Sequence, residues 1–194
     1  FGPTSLSATP WNNITSHQES STTSWIKDVE NNYTNIGVRV LDGFTATHAG
    51  VGSEPASPVT VDGVEFPLTA WKDGLLVKGE KNQGDVGPGR IEISQLDVAR
   101  KYNFTILAIR FNGSKDARIS SYKLVGKTES EVKEVKTGIK DVAAFNTAKF
   151  EEYIAKFENV EPDSEGKVIV EVKGIDTGLA AEGHINALCI SPVK

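Results

Sequence analysis

From Arg90 to Ser191 the chain repeats one pattern: a short run of alternating apolar and polar residues, a turn, then another run. The clearest unit is Tyr153-Ile154-Ala155-Lys156-Phe157, then Glu161-Pro162-Asp163-Ser164-Glu165-Gly166, then Lys167-Val168-Ile169-Val170-Glu171-Val172. Successive side chains of a strand point to opposite faces. Val168, Val170 and Val172 therefore share one face, and Lys167, Ile169, Glu171 and Lys173 share the other. In Pro162-Asp163-x-x-Gly166, proline fixes φ, aspartate caps nearby N–H groups and glycine permits the last step, so this segment predicts a turn. Repeated over a hundred residues, the pattern predicts an all-β chain folded as an antiparallel β-sandwich. It carries no reactive group.

Before Arg90 the same signals are sparser. Residues 1–35 are rich in Ser, Thr and Asn and predict irregular chain laid over a core, with one short strand at most. Asn35 to Thr47 predicts a strand broken at Asp42-Gly43. His48 to Ser57 predicts a loop, and Asp62-Gly63 between Val59-Thr60-Val61 and Val64-Glu65-Phe66 predicts a two-residue hairpin. Leu75 to Lys78 fits either a strand or the end of a short helix begun at Thr69, and Asn82 to Gly89 predicts a long turn. Tyr102 to Arg110 predicts the most buried strand, entered through residues 94–100. Ser120 to Val125 predicts another strand, with a weaker alternation over Lys127 to Thr137. Residues 139–157 fit a loop or short helix to about 149 and then a strand. No repeat or linker divides the chain, so residues 1–194 predict one sandwich domain with at most one or two short helices.

A chain of 194 residues buries ~70% of its unfolded surface and needs no disulfide or metal to fold. The 21 Lys and Arg against 26 Asp and Glu are interspersed and give a net charge of −5. That balance offers no footprint for nucleic acid or an anionic membrane. No apolar run approaches the ~20 residues of a transmembrane helix. Cys189, the single cysteine, lies in the apolar run Ile185 to Ile190 and is expected to be a small buried hydrophobe. Phe1 is not an initiator Met and no Met occurs, so the chain reads as a processed product whose targeting segment lies outside these residues.

The order of pieces resembles the galactose-binding-domain-like jelly rolls, the shape of many carbohydrate-binding modules of secreted bacterial surface proteins. The matching residues are Phe1-Gly2, Pro10-Trp11-Asn12-Asn13, Gly37-Val38 to Asp42-Gly43-Phe44, Leu96 and Tyr102-Asn103-Phe104-Thr105. They continue with Arg110, Arg118 to Gly126, Asn146, Phe157 to Asp163 with Gly166, and His184 to Leu188. The resemblance implies a jelly roll and an extracytoplasmic setting, in the periplasm or at the cell surface. Such domains occur as surface lipoproteins and as appendages of glycoside hydrolases, lyases and esterases. Their usual metal is calcium, and the resemblance implies no other cofactor.

A sugar site needs an exposed flat aromatic and planar polar groups that fork to hydroxyls. Trp11, Trp25, Trp71 and Tyr33 are the available platforms, and Arg110, Arg118, Asn12 and Asn186 the available forks. Trp11 and Trp71 are expected in the core, which leaves Trp25, Tyr33, Arg110 and Arg118 as the expected ligand-binding set. Arg110 closes the most apolar run and is expected to be paired and partly buried. Asp42, Asp62, Asp73 and Asp85 lie in Gly-containing loops that could offer oxygens to a structural calcium, yet Asp-Gly is first a turn dipeptide. His17, His48 and His184 lack zinc spacing, and neither a nucleophile elbow nor a phosphate-binding loop occurs. Four Asn-x-Ser/Thr sequons occur, at Asn13, Asn32, Asn103 and Asn112; the place of Asn103 in a core strand argues against reading them as glycan acceptors.

The sequence thus favours a non-catalytic module that binds a polysaccharide or other glycan through loops at one end of a jelly roll. One alternative is a structural or protein-interaction domain of a surface assembly. The other is a glycan-active enzyme with two carboxylates about 5–9.5 Å apart.

Overall fold

The computed structural model describes residues 1–2, 7–48, 58–111, 118–139 and 151–194. All but His48 of the loop expected over 48–57, most of the helix or loop expected before 149, and the matching residue Asn146 lie outside that set. So does the sequon at Asn112.

Alternation gives strands wherever it was strong. A six-stranded sheet forms from β1 (Thr22–Thr23), β2 (Gly37–Asp42), β7 (Val86–Ser94), β14 (Val168–Ile175), β10 (Ile119–Val125) and β11 (Lys133–Lys136), in that order. All its pairings are antiparallel. Facing it are two three-stranded sheets. One joins β13 (Ile154–Val160), β8 (Tyr102–Leu107) and β16 (Ala187–Pro192). The other joins β15 (Ala180–Ile185), β6 (Gly74–Lys81) and β3 (Ala46–His48). The molecule is an antiparallel β-sandwich. Helical structure among the described residues is limited to a 3-10 turn at Leu68–Trp71 and another at 151–153.

Val168, Val170 and Val172 are fully buried, as their spacing requires. They meet Val40, Ile91, Ile93, Tyr122 and Leu124 of the same sheet, and Leu75, Val77, Phe104, Ile106 and Ile185 from the facing layer. Burying a side chain of this size contributes about 1.5–3 kcal/mol. A second cluster lies behind β8. There Leu107, Ile109, Ile154 and Ala187 pack under Phe66 and Trp71. These two residues come from the hairpin of β4 (Val59–Val61) and β5 (Val64–Phe66) and from the 3-10 turn after it. Apolar cover on both faces explains why the run after Tyr102 is nearly continuous rather than alternating.

The Asp62-Gly63 hairpin has the expected register, with Val61 opposite Val64 and both turn residues at positive φ. The 162–166 turn is also as expected: Asp163 Oδ1 accepts from the N–H groups of Glu165 and Lys167, and Gly166 has φ 73°. Two expectations shift. Tyr102 to Arg110 is not one strand, because β8 ends at Leu107 and Arg110 begins β9 (Arg110–Phe111), which pairs in parallel with β12 (Gly138–Ile139). The long turn over 82–89 is shorter, because β7 starts at Val86. Gly89 is a strand residue there for packing reasons. A Cβ on it would stand 2.7 Å from Val77 and 2.9 Å from Phe44.

Asn186, fully buried between β15 and β16, holds the junction. Its Oδ1 accepts from Ile109 N at 2.8 Å and its Nδ2 donates to Asp73 O at 3.0 Å. Its carbonyl accepts from the Phe1 nitrogen at 2.7 Å.

Candidate binding sites on a hairpin and in a buried arginine cluster

The Ser-, Thr- and Asn-rich opening contains a locked hairpin. Ile26 N donates to Ile36 O, Thr34 N to Ile26 O and Asp28 N to Asn32 O, with Lys27 bridged to Tyr33. Asp28 shapes the tip: its Oδ1 accepts from Glu30 N at 2.9 Å and Asn32 N at 2.8 Å, and Asn31 takes φ 69°. Short Asx side chains favour such turns because they replace backbone partners. Ile26 and Ile36 pack on the core and fix one face of the hairpin. Asn12 clamps the edge, its Oδ1 accepting from Lys27 N and its Nδ2 donating to Lys27 O, both at 2.8 Å.

The outer face carries large side chains in water. Trp25 is 67% exposed and Tyr33 74%, with Val29 at the tip at 78%. Lys27 Nζ stands 4.9 Å from the Tyr33 ring centroid, a cation–π contact that restrains both groups. The other tryptophans behave differently. Trp71 is buried, and Trp11 is half-buried with its ring 5.5 Å from that of Phe66.

Arg110 and Arg118 lie elsewhere, at the other side of the six-stranded sheet. Four strand steps separate β1 from β10, about 19 Å. The structure therefore splits the expected set into two pairs. Both guanidinium groups donate through Nη1 to Glu182 Oε2. Arg118 and Glu182 are each 2% exposed, and the Arg110 side chain is 20% exposed. His184 Nε2 lies 3.4 Å from the same Glu182 oxygen. Tyr122 OH donates to His184 O at 2.5 Å, and His184 N donates to Ser120 Oγ at 3.0 Å. Thr137 ties the two arginines through the backbone: its N donates to Arg118 O, and its carbonyl accepts from Arg110 N.

Electrostatics decide the charge states in this cluster. Burial alone raises the pKa of Glu182, but the His184 hydrogen bond and the charges of Arg110 and Arg118 outweigh it, and the carboxyl titrates below its ordinary range. Burial, helped by the two arginines, lowers the pKa of His184 against the pull of Glu182, so the imidazole is neutral near pH 7. The sequence offered His184 as a residue of the jelly-roll resemblance and without zinc spacing, and did not single out Glu182. The available signal was a charged residue inside the run Ala180 to Ile185, which apart from His184 is otherwise small and apolar.

The four loop acids stay apart in their pairings. Asp42 accepts from Arg90 at 3.1 Å, Asp62 from Lys156 at 3.1 Å and Asp85 from Asp176 N at 2.8 Å, while Asp73 is buried. Among the described residues no group of three or more His, Cys, Asp or Glu is placed to hold a metal. A shallow cleft of about 240 Å³ is lined by His17, Gln18, Glu19, Asp42, Gly43 and Phe44. No described helix is long and apolar enough to cross a membrane.

No protein-family model and no curated protein matches the sequence. Among solved structures the chain is similar to TmCBM61 in complex with beta-1,4-galactotriose, at 12% identity and TM-score 0.37, over 63% of this chain and 72% of that one. It is also similar to the ANXUR1 extracellular domain from Arabidopsis thaliana, at 8% identity and TM-score 0.45. That match covers 77% of this chain and 38% of the other.

Proposed function

We propose that the chain is a non-catalytic, extracytoplasmic binding module whose hairpin over residues 25–36 docks a glycan. The observation that carries this reading is the pairing of exposure with rigidity at Trp25 and Tyr33. A soluble β-domain gains nothing in stability from leaving two large rings in water. A locked backbone beneath them means that little ordering entropy is lost on binding. Flat rings offer an apolar face to a pyranose, and the neighbouring Lys27, Asp28 and Asn32 offer polar groups for its hydroxyls. Such an exposed pair of rings suits a stretch of an extended polysaccharide better than an enclosed terminal sugar.

The test is affinity electrophoresis and calorimetry against plant, host and bacterial polysaccharides. Retention of the wild type on at least one of them, lost roughly tenfold or more in Trp25→Ala and in Tyr33→Ala, is the expected result. Both variants should unfold at the wild-type temperature, since exposed substitutions rarely change stability by more than about 0.5 kcal/mol. Retention on none of the polysaccharides would sink the proposal. Val29 supports a second reading, a protein contact, because an aliphatic tip exposed at 78% has nothing to offer a hydroxyl. Val29→Glu should abolish a protein contact and leave glycan retention unchanged.

A further inference from the structure

Arg118 uses only one of its two donor edges. Nη1 donates to Glu182, whereas Nε and Nη2 have no hydrogen-bond partner among the described residues. These two N–H bonds point the same way in one plane, and that fork matches the two oxygens of a carboxylate. An unmade donor on a buried charged group carries its full desolvation cost, so the fork favours an acceptor of its own. The charges agree. Arg110 and Arg118 carry two positive charges, Glu182 one negative, and His184 is neutral. Ser120, Thr137 and Tyr122 contribute hydroxyls only. Among the described residues the cluster is one negative charge short.

We propose that the free edge of Arg118 binds the carboxylate of a small ligand that enters past Arg110. Arg110 is the more exposed of the two side chains, 20% against 2%, so solvent reaches the pair from its side. One surplus charge and two parallel donors select a planar monoanion over a tetrahedral dianion. This site is separate from the aromatic hairpin and does not depend on it. Where the ligand is a glycan, an extension that does rest on the proposed function, it is a uronic acid residue at a chain end.

Thermal unfolding of the whole chain tests the site, with acetate, D-galacturonate, D-galactose and sulfate added at matched ionic strength. Acetate and galacturonate should each raise Tm by roughly 5–10 °C at a hundredfold excess over Kd, and galactose and sodium chloride should not. Trp25→Ala should keep the full response, which separates this site from the hairpin. Arg118→Lys retains the charge but not the fork and should lose the response. If that variant does not fold, titrating wild-type protein with acetate should shift the Arg118 Nε–H resonance in the NMR spectrum. No Tm rise with either carboxylate, an equal rise with sulfate, or an unmoved Nε–H resonance overturns the proposal.

Discussion

Gly174 of β14 and Gly183 of β15 face one another across the sandwich with no room for a methyl group on either. A Cβ on Gly174 would lie 2.6 Å from backbone atoms of Glu182, and one on Gly183 would lie 2.6 Å from the carbonyl carbon of Lys173. Neither glycine has a positive φ, so the requirement is close approach and not backbone conformation. The contact sits beside Glu182, whose carboxylate meets Arg118. Gly174→Ala and Gly183→Ala should each cost about 1–3 kcal/mol through overpacking, read as a lower urea midpoint at unchanged m-value. A wild-type midpoint for both would show that the two strands can part freely.

Among the described residues Glu182 is the carboxylate shared by the two guanidinium groups, and removing its charge leaves Arg118 buried and Arg110 partly buried without it. Glu182→Gln keeps the shape and removes the charge, and should cost about 3–5 kcal/mol by urea denaturation at pH 7. The pH dependence has a definite sign. The folded carboxyl titrates below the ordinary 4.5, so its contribution is complete above that value and is lost as the pH falls through the lower, folded pKa. Wild-type stability should therefore drop on acidification below about 4.5, and the variant's profile should be flatter there. Parallel acid profiles for the two proteins would exclude Glu182 as the group responsible.

Asn12 holds Lys27 through both its backbone N–H and its C=O, in the way a neighbouring strand would. Asn12→Ala should unmake both bonds, a local cost of about 1–2 kcal/mol. Amide exchange at Lys27 should accelerate by at least tenfold while amides of β14 remain protected. Glycan retention should weaken in the same variant, because the platform would have to be ordered on binding. Unchanged exchange at Lys27 would mean that Ile26 and Ile36 alone fix the hairpin.

Sequence reading reached the sandwich because strand period and turn chemistry are local. Val168, Val170 and Val172 bury together for no reason beyond their spacing. Gly89 misled because glycine beside proline marks a turn as readily as it makes room for Phe44 and Val77. The sites were legible in part. Trp25 and Tyr33 stood out because aromatics among Ser, Asn and Asp have little core to enter, and both are exposed. The tie between Arg118 and Glu182 spans 64 residues and depends on sheet order, which no local pattern contains. Asn12 and Asn186 looked like sugar forks by chemistry alone. Their hydrogen bonds go to backbone groups, and only tertiary neighbours reveal that.

Cys189 lies on β16 opposite Thr105 of β8, half-buried, with Trp11 in the same apolar cluster. Burial pushes its thiol from an ordinary 9.0 up to about 12, which lowers its thiolate population at neutral pH about a thousandfold. Because the thiolate is the nucleophile, the native chain should react with an aromatic disulfide reagent at pH 8 orders of magnitude more slowly than the chain in guanidinium. The shift also sets an alkaline limit. The raised pKa contributes stability that is complete below 9.0 and is lost as the pH rises toward 12. Cys189→Ala should remove that part of the alkaline decline in Tm. Rapid labelling of the native chain at pH 8, at the rate of the unfolded one, would show an accessible thiolate and refute a purely structural role for Cys189.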